Sequence, residues 1–494
     1  MKKIVLRTCI LTLSVAIALP RAFAADRGEI LSGETRAANV VSGPPYLDTW
    51  TFSGTTGERI IIYAVTTNGA FDTTIYLYPP GGGPAEASGW ATGYGGDTLD
   101  HQLQHAGTYT ILIQYYGVND TGTYNLTFLK IPGAVSSAAD SDGGPILSGQ
   151  TLAGRINTAS DLDTFQFNGN AGERVIICAV KTNGTLDTTI TLYPPGGRPA
   201  EASGWITGYG GDSLDWQLRT NGQYSIVIAD YGLNDAGDYN ITFLKIPGTV
   251  SSSADPDGGP IASGQTLSGR INVASDLDAF QFYANAGEEV IIYALTTNGT
   301  LDTTITLYPP GGGAAEASGW MTGYGGDSLV WQLHTNGVYT IVIADYGLDH
   351  TGSYNITFLK IPGLINSAAD PDGGLIASGQ TVGGRINVPS ALGRLSILRK
   401  RKRTCHHLCG GNEWSVGYCC LAIPAWRRTG RSHGLDDRLR RGFDRSSTRK
   451  ERVVQHCCSR LRIGRPRSIL RKPDQNPTGS GRHLQPLPSQ RFNH

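Results

Sequence analysis

Residues Gln223–Ile246 read QYSIVIADYGLNDAGDYNITFLKI. Two runs of β-branched and aromatic residues flank a Gly-Leu-Asn-Asp-Ala-Gly turn, the composition of two strands joined by a loop. In the first run Tyr224, Ile226 and Ile228 alternate with Ser225, Val227 and Ala229. Side chains on a strand alternate between faces, and here both sets are apolar or small, as expected of a strand near the middle of a sandwich.

The same pattern recurs along the chain. LYPPGG starts at Leu77, Leu192 and Leu307, a period of 115 residues. EASGW ends at Trp90, Trp205 and Trp320, and FLKIPG ends at Gly133, Gly248 and Gly363. A unit of this length is too long for a solenoid repeat and suits a tandem domain with its own core. Strand-like runs punctuated by Gly, Asn, Asp and Pro, without helical periodicity, predict an all-β fold: tandem β-sandwich, jelly-roll-like domains. The expected units span 29–133, 147–248 and 262–363, joined by short, fairly exposed linkers such as GTVSSSADPDGGPIASGQ, and a fourth begins at 377–390.

SGQTLAGRINTASDLDTFQFNGNAGERVIICAV, then LDTTITLYPPGG and GQYSIVIADYGLNDAGDYNITF, resemble the bacterial pre-peptidase C-terminal domain family. The pattern is an acidic D-x-D strand with aromatics, a glycine turn, a D-x-x-[IL] strand and a late aromatic–aliphatic strand. The first unit departs from it, with Tyr46 in place of the first Asp. The resemblance implies non-catalytic β-sandwiches that accompany secreted proteases and other surface proteins, some of which bind calcium or extracellular polymers.

The N-terminus has Lys2 and Lys3, an apolar run and Ala22-Phe23-Ala24, which together predict a signal peptide over 1–24 and a secreted, periplasmic or cell-surface protein. The run is shorter than a bilayer needs and is bracketed by Arg7 and Arg21, so no membrane span is expected in the mature chain.

The formal net charge of zero is a cancellation. Residues 1–25 carry +4, residues 26–390 carry −22, and residues 391–494 carry +18. Cysteine is equally uneven: Cys178 is alone in the body, and Cys405, Cys409, Cys419, Cys420, Cys457 and Cys458 crowd the tail. One cause explains both. In the 115-residue register, TCHHLCGGNEW at 404–414 stands where the third unit has EVIIYALTTNG. Read one nucleotide late, Cys405 gives Val or Ala, His406 and His407 give Ile or Thr, and Trp414 gives Gly. The stretch becomes compatible with RVIICAVATNG. Residues 391–494 therefore read as a fourth unit translated out of frame, expected to be disordered without a packed core. TCHHLCGG is then a misread strand and not a zinc site, and the basic tail is no sign of nucleic-acid binding.

Candidate chemistry is sparse. The second unit contains no His, so His101, His105, His334 and His350 are expected to be surface substitutions, and no enzyme is expected in the repeats. Cys178 stands where the other units have Tyr63 and Tyr293 and reads as a buried strand thiol. Two recurrent features remain. Asp140/Asp142, Asp255/Asp257 and Asp370/Asp372 lie in linkers, and Asp161/Asp163 and Asp276/Asp278 open the next strand; they could supply calcium ligands or simply form turns. Trp90/Tyr94, Trp205/Tyr209 and Trp320/Tyr324 lie on Gly-rich loops, where they could stack on a ligand; packing and loop anchoring is the preferred reading. The expected function is a secreted, non-catalytic multi-domain binding or structural module, facing an extracellular polymer or cell-surface component. The alternative is the accessory region of a secreted protease or other hydrolase whose catalytic domain is absent from this chain.

Overall fold

The structure, a computed structural model, describes residues 24–40, 47–69, 72–89, 96–115, 121–133, 141–204, 211–251, 256–319, 326–363, 373–377, 379–399, 418–422 and 452–460. These residues contain strands and turns and no helix.

The first unit has nine strands: β1 (Ala24–Glu29), β2 (Glu34–Val40), β3 (Leu47–Gly54), β4 (Arg59–Gly69), β5 (Thr73–Tyr78), β6 (Ala87–Gly89), β7 (Gly96–Gln102), β8 (Gly107–Tyr115) and β9 (Gly122–Ile131). One sheet has the order β1-β3-β8-β5-β6, with β1 parallel to β3, and the other has the order β2-β9-β4-β7. The second and third units repeat both sheets in the same order. The recurrent TNG motif ends β4 on a bulge, where the register against β9 shifts between Thr66 and Asn68. Gly69 has φ 102° there, and a Cβ would lie 2.1 Å from the Thr121 carbonyl oxygen, so only glycine fits.

Each sandwich is closed by the inward set of alternating residues. In the second unit Phe167 stacks on Tyr224 with ring centroids 5.4 Å apart and meets Phe243 at 4.4 Å, and the first and third units repeat both contacts. The Tyr239 hydroxyl crosses the sandwich and donates to Asp163 Oδ2 at 2.6 Å, as Tyr354 does to Asp278 at 2.7 Å and Tyr124 to Asp48 at 2.8 Å. The first Asp of the acidic motif, absent from the first unit, is thus not the one that joins the sheets.

The outward apolar set has a different partner from the one its composition suggested. Val227 and Ala229 do not face the sandwich interior. They pack, with Leu162 and Tyr193, against Ile61, Leu129 and Ile131 on the four-stranded sheet of the first unit. Leu277, Ala279, Tyr308, Val342 and Ala344 of the third unit pack in the same way on Ile176, Cys178, Leu244 and Ile246 of the second. The units are therefore stacked face to face, sheet on sheet, rather than strung on exposed linkers.

In the tail, strands Gly393–Arg399, Tyr418–Ala422 and Arg452–Arg460 pair beside Gly373–Leu375. They stand 115 residues after their counterparts in the third unit, and the pairing does too: Gly393 is opposite Cys458, as Asp278 is opposite Ile343. The expectation of a disordered tail covers 391–494; within it 391–399, 418–422 and 452–460 are described and hold these paired strands, and the rest lies outside the described residues, as do residues 1–23 of the expected signal peptide.

Candidate functional site

The junction between stacked units is a polar arrangement that recurs among the described residues, and it holds several of the carboxylates singled out above. Asp161 follows Ser160, which lies in the left-handed region at φ 68°. Asp161 Oδ2 accepts from Asn157 N at 2.8 Å, and Oδ1 accepts from Leu162 N at 3.0 Å and, across the junction, from Thr35 Oγ1 at 2.9 Å. Burial pushes the Asp161 carboxyl up, against the pull of these hydrogen bonds. Asp276 repeats the arrangement with Asn272 N at 2.8 Å, Leu277 N at 3.0 Å and Thr151 Oγ1 at 3.4 Å.

Further hydrogen bonds complete the first junction, and Asn240 to the Ala274 carbonyl and Thr242 to Ser275 repeat two of them at the second. The Asn125 amide donates to Thr158 Oγ1 and to the Ala159 carbonyl, and Thr127 Oγ1 lies 2.9 Å from Ser160 Oγ. At the opposite side, Arg59 pairs with Asp100 and lies over the ring of Tyr193, whose hydroxyl donates to Asp100 Oδ2 at 3.2 Å. Arg174, Asp215 and Tyr308 form the same clamp at the second junction. The third unit has Glu289 and Val330 at the corresponding positions.

Of the other candidate calcium ligands, Asp142 sits close enough to Asp161 to raise its carboxyl by charge, so the linker does fold back toward the strand. Asp257 and Asp276 likewise act on Tyr354, after burial and Asp278, the larger causes. Asp163 and Asp278 accept from the tyrosine hydroxyls described above. Among the described residues, the three-residue group whose ligand atoms converge is another one, Asp345, Asp349 and His350. Within it Asp345 already accepts from the backbone N–H groups of Asp302, Gly347, Asp349 and His350. Asp161, Asp163, Asp276 and Asp278 thus already accept hydrogen bonds from the turn, the junction or the opposite sheet. Asp140, Asp255, Asp370 and Asp372 lie outside the described residues, as do Trp90, Tyr94, Trp205, Tyr209, Trp320 and Tyr324.

The glutamate that opens each EASGW motif was not singled out in the sequence, and its repetition was the available signal. Glu86 accepts from His101 Nε2, His105 Nδ1 and Gln104 N, each at 3.0 Å, and from the Tyr109 hydroxyl at 3.2 Å. Burial alone would raise its carboxyl, but these bonds outweigh burial and hold it below the usual range. Glu201 and Glu316 accept from the indole N–H groups of Trp216 and Trp331, which stand where the first unit has His101, and His334 Nδ1 lies 3.4 Å from Glu316. His101 and His105 are therefore tied to a structural carboxylate. Cys178 is buried in the second junction, and burial, then the charge of Asp215, pushes its thiol up to about 12, the opposite of an activated nucleophile.

No family model matches the chain, and no curated protein matches it. Solved structures do. PliG, a periplasmic lysozyme inhibitor of g-type lysozyme, from Aeromonas hydrophila is 15% identical with a TM-score of 0.17, over 21% of this chain and 96% of that one. PliG of Salmonella Typhimurium is 18% identical with a TM-score of 0.17, over 21% and 99%. The pre-peptidase C-terminal domain of a collagenase from Bacillus anthracis is 21% identical with a TM-score of 0.18, over 21% and 93%. That domain is of the family that the repeat motifs of this chain resemble.

Proposed function

We propose that the chain is a secreted, non-catalytic module of the pre-peptidase C-terminal type, in which stacked sandwiches form a stiff support that presents equivalent loops to an extracellular polymer or cell-surface component. The observation that carries this reading is the junction, built twice from the same residues: Ile61, Thr127 and Arg59 against Leu162, Ser160 and Tyr193, then Ile176, Thr242 and Arg174 against Leu277, Ser275 and Tyr308. Such a stack fixes the spacing between loops, which raises avidity for a repeating ligand without any new contact. The test is co-sedimentation of the full chain with insoluble chitin, cellulose and peptidoglycan, alongside peptidase and glycosidase assays. Retention on one polymer without turnover supports the reading. Turnover of any of these substrates, or retention on none, overturns it.

A further inference from the structure

A seat and its occupant can be defined from the first two junctions. The seat is the outward face of a four-stranded sheet: three apolar residues, a threonine and an asparagine. The occupant brings a leucine, a valine and an alanine on its five-stranded sheet, preceded by a serine at positive φ. Ile131 and Ile246, at the edge of the two seats, are 1% and 2% exposed beneath their occupants.

The third unit carries the same seat. Ile291 and Leu359 are buried on it, Ile361 is only partly buried, and Asn355 and Thr357 stand at the lock positions. The lock is already engaged. Ser390, at φ 73°, lies with its Oγ 2.9 Å from Thr357 Oγ1, and the Asn355 amide donates to the Pro389 carbonyl at 3.3 Å. Leu392, the counterpart of Leu162 and Leu277, is buried against Ile291 and Leu359. Beyond Leu392 the side chains leave the repeat, although the described strands keep its register. Cys457 stands where an occupant has Val227 or Val342, and read one nucleotide late its codon gives Val or Ala whichever cysteine codon is used. Ser459, at the position of Ala229 and Ala344, admits Ala in the same reading.

We infer that the outward face of the third unit's four-stranded sheet, centred on Ile291, Leu359, Ile361 and Thr357, is a docking surface for a fourth sandwich of the same kind. A second copy of this chain does not fit as occupant. Its first unit offers Pro45 in place of Ser160, Tyr46 in place of Asp161 and an exposed Gln114 in place of Ala229. The seat also lacks the Arg–Asp clamp, since Glu289 and Val330 replace it, so the third junction rests on its apolar residues, the Ser390–Thr357 pair and the Asn355 bond to Pro389.

The test compares the full chain with a version whose gene lacks one nucleotide directly after the Leu392 codon. Ile361→Cys is introduced into both, with Ile246→Cys as the control that the third unit covers in either chain. Alkylation at each site is followed by peptide mass spectrometry. Cys at 361, partly exposed in the present chain, should react measurably there and at least about tenfold more slowly in the restored one, approaching the control. Limited proteolysis of the restored chain without any cysteine substitution should release a resistant fourth unit. Equal rates at 361 in the two chains overturn the inference, as does a restored segment that proteases degrade. Protection at 361 that grows with the concentration of the present chain also overturns it, by making a second copy the occupant. None of these outcomes depends on polymer binding.

Discussion

Ser160 Oγ lies 2.9 Å from Thr127 Oγ1 across the boundary between two sandwiches, and Ser160 is held there in the left-handed backbone region at φ 68°. Thr127 Oγ1 is 2.8 Å from Thr35 Oγ1, which donates to Asp161, the neighbour of Ser160. A ring of hydroxyls therefore leaves the occupant at its serine, passes through two threonines of the seat and returns at its aspartate. The second junction repeats the ring through Ser275, Thr242, Thr151 and Asp276.

A break in the middle of that ring should cost more than a break at its end. Thr242→Val removes the hydroxyl shared by Ser275 and Thr151 in a buried site, at about 1–3 kcal/mol. Ser275→Gly loses one bond but relieves a non-glycine residue at positive φ, and should cost under about 1 kcal/mol. Scanning calorimetry of the full chain should rank Thr242→Val below Ser275→Gly in Tm. The reverse order would show that the ring does not hold the junction.

The pin between the two sheets gives a second ordering. Tyr239→Phe removes a charge-assisted hydrogen bond to Asp163, at about 1.5–3 kcal/mol. Tyr124→Phe should cost more, because the Tyr124 oxygen also accepts from Trp50 Nε1 at 3.1 Å, and the buried indole N–H would lose that acceptor. Equal losses in denaturant unfolding would mean that the indole bond contributes nothing.

Much of this fold was legible in the residues themselves. The 115-residue period, the strands of QYSIVIADYGLNDAGDYNITFLKI and the TNG and PPGG turns each carry a local signal that strand geometry and glycine conformation explain. The junction was not legible. Val227 and Ala229 look like core residues because burial against a neighbouring unit and burial inside a sandwich select the same side chains. Tyr193 and Asp100 are 93 residues apart, on different units, so no local pattern announces their hydrogen bond. No local signal singles out Ser160 and Ser275; their φ values and threonine partners distinguish them.

The clamp can be tested with the third unit's own residues. Arg174→Glu with Asp215→Val imports the Glu289 and Val330 positions into the second junction. Ion pairs with a partly exposed partner contribute about 1 kcal/mol or less, so the chain should stay folded and the junction should open more often. Cys178, buried in that junction, is a natural reporter. Its alkylation should accelerate about two- to fivefold while Tm of the chain falls little. An unchanged rate would show that the apolar residues alone close the junction.

Calcium is tested by melting the chain with calcium and with chelator. Asp161 and Asp276 already accept from backbone N–H groups through both carboxylate oxygens, so the geometry predicts the same Tm in both conditions. Asp142→Asn and Asp257→Asn should leave it unchanged in either. A rise with calcium that these substitutions abolish would instead place an ion beside Asp161 and Asp276, where the linker carboxylates fold back.

Alkaline pH should open the stack. Burial, then the charge of Asp100, pushes the Tyr63 hydroxyl from 10.0 to about 12, and Tyr193 and Tyr308 are raised further, with burial the largest cause. The Cys178 thiol moves from 9.0 to about 12. Each group keeps its proton in the folded chain at a pH where the unfolded chain has released it. Their contribution is therefore fully present below the unfolded values and is lost as pH rises through them toward the folded ones. Tm should be flat near neutrality, begin to fall near pH 9.0 as Cys178 enters its window, and fall faster from pH 10.0 as the tyrosines follow. Cys178→Ala removes the first of these groups, so its curve should stay flat until the tyrosine window opens. A wild-type Tm that holds level to pH 11, about one unit into that window, would mean that these hydroxyls and the thiol are reached by water in the folded chain, and that the junctions are not closed in solution.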